Sequence, residues 1–119
     1  MPAVEHISAI TFAVRDMAAS VGFYEKCGFA VIYGGPQAPF TSLQSGEAYV
    51  NLIDTPDYKF RWWGRVIFHV ASADEQYHRV IAAGLSPHDV PKDAAWGERF
   101  FHITDPDGHE LSFAELLSR

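Results

Sequence analysis

The sequence predicts an α+β domain made of two βαβββ modules in tandem. Three observations carry that expectation. A strand-like alternation followed by a capped helix occurs twice. The second occurrence falls on the first at a constant offset of 56 residues, setting Ile10 on Val66, Phe12 on Phe68, Val14 on Val70 and Gly28 on Gly84. Each occurrence also runs on into a short hairpin turned by a glycine, Gly46 in the first and Gly108 in the second. A repeat of this length marks two supersecondary units that build one fold together. A ferredoxin-like domain with two similar halves is the alternative. The expected extent is one domain over residues 1–119, with modules at about 5–53 and 65–116.

In the first module, Ile10, Phe12 and Val14 alternate with Thr11, Ala13 and Arg15, the period of a half-buried strand. Asp16 is placed to cap a helix that presents Met17, Val21 and Tyr24 on one face and stops at Gly28. Phe29 to Tyr33 is β-branched and aromatic, and Gly34-Gly35-Pro36 breaks it. Phe40–Gln44 and Ala48–Ile53 flank Ser45-Gly46-Glu47 as a hairpin. Residues 54–64, DTPDYKFRWWG, lose all periodicity and read as the connection.

The second module opens with Val66, Phe68 and Val70 in alternation, which leaves Arg65, Ile67 and His69 on the opposite strand face. Ser72 and Glu75 form a capping box for a helix whose apolar face is Tyr77, Val80 and Ile81. Leu85–Val90 reads as a short extended piece. The closing hairpin, Phe100–Thr104 and Glu110–Glu115, turns through Asp105-Pro106-Asp107-Gly108, where Pro presets φ and Gly takes the positive-φ position. Each helix is expected to cover one sheet, and strand five to pair with a strand of the first module. Phe12, Phe68, Leu111 and Phe113 are the expected core.

Composition narrows the function. Acids exceed bases to a formal charge of −6, and the bases are scattered, which argues against a nucleic-acid surface. No apolar run is long enough for a membrane span, and the start lacks a signal-peptide pattern. Cys27 is the only cysteine, so no internal disulfide forms. A cytoplasmic, reduced protein is expected.

Two motifs, V-R-D-M-x-x-S-x-x-F-Y-E-x-x-G-F (Val14–Phe29) and D-P-D-G-H-E-L (Asp105–Leu111), resemble those of the vicinal oxygen chelate superfamily. That superfamily spans glyoxalases, extradiol dioxygenases and bleomycin-resistance proteins. The resemblance implies a cup-shaped cleft and, in metal-dependent members, ligands from strands one, four, five and eight. Those positions fall here on Ala9, Asn51, Arg65 and Ser112, none of them a usual ligand. No metal and no other cofactor is therefore expected.

Two functions remain open. One is a non-metal binder of a small aromatic or anionic molecule, with Asn51, Trp62, Trp63, Arg65, Trp96, Phe100, His102 and Ser112 lining the cup. The other is an enzyme using His69, His102 and Glu110, either as displaced ligands for a metal-dependent lyase or dioxygenase or as metal-free acid–base groups. Arg65 has a salt bridge to Glu98 or Glu110 as its structural alternative, and the tryptophans have core closure. His6, His78, His88 and His109 fall in segments where an exposed imidazole is common, and Cys27 reads as a packing residue. A homodimer is expected, because open sheets leave strand edges and aromatic surface to cover.

Overall fold

The computed structural model describes residues 2–117 and contains two four-stranded sheets, each with one helix. The chain divides into two compact units, one running to Glu25 and then over Phe29–Tyr58, the other comprising Lys26–Gly28 and the chain from Lys59 on.

The first unit is built from β1 (Ala9–Val14), α1 (Met17–Lys26), β2 (Ala30–Tyr33), β3 (Phe40–Ser45) and β4 (Ala48–Asp54), in sheet order β1-β4-β3-β2. β4 returns parallel to β1, while β2, β3 and β4 pair antiparallel. Asp16 Oδ1 accepts the Ala19 amide at 3.2 Å and caps the helix as its position predicts. The buried helix face is Met17, Ser20, Val21, Phe23 and Tyr24. Tyr24 stacks on Phe12 of β1 at 5.9 Å, and Val14, Leu43, Val50 and Leu52 are wholly buried. At Gly34, φ is +80° and a Cβ would lie 2.2 Å from the Phe40 carbonyl oxygen, so only glycine lets β2 pass β3 there.

The second unit follows the same plan: β5 (Arg65–His69), α2 (Ala73–Ala82), β6 (Lys92–Asp93), β7 (Glu98–Thr104) and β8 (Glu110–Leu116), in order β5-β8-β7-β6. Ser72 Oγ accepts the Glu75 amide at 3.1 Å, and Glu115 Oε1 accepts the Ala73 amide at 2.9 Å. Two of the orphan donors at the helix start are thereby satisfied, one by an anion where the helix dipole favours it. Phe101, Ile103, Leu111 and Phe113 form the core beneath the helix.

Several expectations need correction. β5 pairs with β8 alone, because each module closes its own sheet by bringing its last strand back beside its first. The buried face of α2 is Ala73, Gln76 and Val80, with Tyr77 edge-on to Phe101 at 5.5 Å; Ile81 is exposed. Gln76 is tolerated inside because its amide donates to the Cys27 carbonyl at 2.6 Å and accepts from Arg79 at 2.9 Å. Leu85–Val90, expected as a short extended piece, forms no strand ladder, although its His88 amide donates to the His102 carbonyl at 2.9 Å, and the two-residue β6 comes after it. Phe68 is only half-buried, stacked on Phe113 at 5.8 Å.

Candidate functional site

The hairpin turn fixes one end of the second sheet. Asp105 Oδ1 accepts the amides of Asp107 and His109, each at 2.9 Å, and Gly108 adopts φ +98°. His109 is 2% exposed, contrary to the expectation for a turn. The connecting segment covers it: Trp63 Nε1 donates to His109 Nδ1 at 2.8 Å, and Phe60 meets the imidazole edge-on at 6.0 Å. Trp63 is thus engaged with the hairpin turn, on the strand parity of the core.

The opposite parity builds the open face of this sheet. Register sets Arg65 beside Glu110 and Thr104, Ile67 beside Ser112 and His102, and His69 beside Ala114 and Phe100. One end holds an ion pair in which Arg65 Nη2 and Nε reach Glu110 Oε1 at 2.6 and 3.3 Å, while Trp62 Nε1 donates to Glu110 Oε2 at 2.8 Å. The other end repeats the arrangement with different residues. His69 Nε2 lies 2.8 Å from Glu98 Oε2, and Trp96 Nε1 donates to Glu98 Oε1 at 2.8 Å. Each carboxylate therefore holds one basic side chain and one indole. Trp62 and Trp96 remain 65% and 73% exposed. Trp96 also stacks on Phe100 at 5.9 Å and 25°, and the Lys92 ammonium lies 5.8 Å from the Phe100 ring.

The electrostatics follow from these contacts. Hydrogen bonds from Arg65 and then Trp62 hold the Glu110 carboxyl below the usual range, and those from His69 and then Trp96 do the same for Glu98. Burial, followed by the nearby Arg65 cation, pushes the His102 imidazole down, against a smaller opposing pull from Glu110. His102 packs 5.1 Å from the Phe100 ring and 6.3 Å from the His88 ring, whose Nε2 lies 2.5 Å from Thr104 Oγ1.

His69, His102 and Glu110 share this face but are not drawn together. Two of the three are bonded to other partners, and among the described residues no three His, Cys, Asp or Glu side chains group to hold a metal. The four positions that the resemblance implies as ligands carry no donor set suited to a divalent ion either. In the first unit, Ala9 has no donor, and Asn51 accepts from Ser42 at 2.8 Å and donates to Thr11 at 3.4 Å. In the second unit, Ser112 is buried and neutral and Arg65 is a fixed cation. Sequence reasoning missed the roles of Glu98, Lys92 and His88, and nothing local in the sequence marks them.

Residues 5–113 match the Glyoxalase/Bleomycin resistance protein/Dioxygenase superfamily. The chain belongs to this superfamily. Within it, a bleomycin resistance protein of Geobacillus stearothermophilus is 28% identical over 123 residues, covering 87% of this chain and 92% of its own. Among solved structures, TioX from Micromonospora sp. ML1 superposes with a TM-score of 0.78 at 24% identity, covering 95% of this chain and all of that one. A bleomycin-binding protein in complex with bleomycin superposes with a TM-score of 0.75 at 21% identity, over 94% of this chain and 98% of that one. The superfamily thus accounts for the repeated module and the paired motifs. No helix of the described residues is long and apolar enough to cross a membrane.

Proposed function

We propose that this superfamily member is a binding protein that holds a small, planar aromatic or anionic molecule on the open face of its second sheet, without a metal. The observation that carries the reading is the pair of exposed indoles, each fixed by a carboxylate at an opposite end of the face. An unbound indole held by a hydrogen bond presents a rigid apolar wall whose ordering does not have to be paid for on binding. Between the walls lie Ile67, His102 and Phe100, over the buried Ser112 and Ala114, a strip with little charge of its own. Arg65 supplies the attraction for an anionic group. The resemblance to bleomycin-resistance and bleomycin-binding proteins supports binding over catalysis, and the engagement of His69 and Glu110 with other partners supports it further. A homodimer that covers exposed strand edges and apolar surface, acting in the cytoplasm, completes the proposal.

Titration of indole fluorescence with 2-naphthoate, 2-methylnaphthalene and bleomycin tests it. Saturable quenching by at least one compound is expected, abolished by Trp96→Ala. Sedimentation at micromolar concentration should show a dimer. If all three compounds leave the emission unchanged, or if Trp96→Ala binds them as the parent does, the binding reading is wrong.

A further inference from the structure

The Nδ1 atom of His102 is buried and has no hydrogen-bond partner. A buried polar atom left unpaired is unfavourable by more than an ordinary hydrogen bond gains, so its presence calls for a cause. Neutral imidazole carries one N–H and one bare lone pair, and burial, with Arg65, His88 and Lys92 set against a smaller pull from Glu110, favours this neutral form. A proton on Nδ1 would bury a donor with nothing to accept it, on a face where Arg65, His88 and Lys92 together outweigh the pull of Glu110. A lone pair on Nδ1 suits the same surroundings better. The proton then belongs on Nε2, which no described residue bonds. Arg65, one row along the sheet, directs Nε and Nη2 at Glu110 and leaves Nη1 without a partner among the described residues. Two donors, His102 Nε2–H and Arg65 Nη1–H, are therefore left uncommitted on one face, bordered by the Phe100 and Trp96 rings.

We propose that His102 Nε2–H, with Arg65, selects aromatic ligands that carry a hydrogen-bond acceptor on the ring's edge, a carboxylate or carbonyl group. This rests on the binding reading above and narrows the ligand class within it. His102 is then a specificity-determining residue: the aromatic floor accepts any flat ring, and the donor pair rejects one without an acceptor. A site built to hydrogen-bond a ligand group discriminates against the analogue lacking it, because its own donors are left dry and unpaired.

The test compares 2-naphthoate, 2-naphthamide and 2-methylnaphthalene, which share one ring system. Long-range ¹H–¹⁵N spectra of the free protein read the His102 tautomer directly. The expected result is an Nε2–H tautomer, a shift of the Nε2 resonance on adding naphthoate, and naphthoate and naphthamide binding about tenfold or more tighter than methylnaphthalene. His102→Leu should reduce that preference to a few-fold, and His102→Gln, which restores a donor, should recover part of it. An Nδ1–H tautomer overturns the proposal. So does equal binding of all three compounds, or a preference that survives His102→Leu, and in both of these cases the face still binds aromatics and the binding reading stands. Failure of every compound to bind removes both.

Discussion

Replacing Gly108 by alanine is expected to destabilise the protein for two separable reasons. Its φ of +98° lies where an L side chain is strained, at roughly 1–2 kcal/mol for a left-handed residue. The new Cβ would also stand 2.8 Å from Phe60 Cγ. That is well inside the ~3.5–4.0 Å at which carbon atoms attract, so the ring must move. Phe60 is 37% exposed and has room to leave, but leaving ends its edge-on contact with His109. Losing an aromatic pair of that kind is worth about 0.5–1.5 kcal/mol, so the total should reach about 2–3 kcal/mol. A double-mutant cycle separates the two causes. In a Phe60→Ala background the ring is gone, and Gly108→Ala should cost only the ~1–2 kcal/mol of backbone strain. Urea unfolding of the four proteins, followed by far-ultraviolet circular dichroism, supplies the values. A coupling below about 0.3 kcal/mol would mean that Phe60 does not cover this turn in solution, and the account of how the connecting segment docks would be wrong.

Three other outcomes are expected. Phe68→Ala should destabilise by about 2 kcal/mol, and Phe101→Ala, at a fully buried ring, by ~3–5 kcal/mol; equal values in urea unfolding would contradict the burial difference. The Glu98 carboxyl is held down from its ordinary value of 4.5, so its contribution is complete above that pH and fades as pH falls through the lowered folded value. Trp96 emission should accordingly change as pH falls below about 4.5, a change that Glu98→Gln removes. Burial, with the Asp105 charge adding to it, pushes the Cys27 thiol up to about 12, so it should resist Ellman's reagent at pH 8 in the native state and react promptly in guanidinium.

Periodicity made much of the fold legible. Alternation at Ile10–Val14 and Val66–Val70, the capping positions Asp16 and Ser72 and the turn at Asp105–Gly108 each act within a few residues, and each formed the predicted element. The burial of His109 and of Gln76 depends on residues far away in the chain. His109 looks exposed until Trp63, 46 residues earlier, donates to it. Gln76, outside the expected helix face of Tyr77, Val80 and Ile81, is buried because the Cys27 carbonyl, 49 residues earlier, accepts its amide. At the site, strand parity put Arg65, Ile67 and His69 on one face, and the Arg65–Glu110 pair was one of two partners the sequence left open. That Glu98 and Glu110 each hold an indole was not legible, because indole hydrogen bonding has no sequence pattern.

The matched anchoring of the two indoles bears on how such a protein changes over generations. Each wall depends on one glutamate, and each glutamate also restrains one basic side chain. A single codon change at either position therefore loosens a wall and unleashes a positive charge in the same step. The sheet beneath is held by backbone pairing and by a core on its other side, so it is indifferent to that exchange. If the face binds as proposed, descendants would change it in abrupt, paired jumps of shape and charge while folding remains intact. Gradual retuning would instead have to arise at Ile67, an exposed side chain between the two ends of the face.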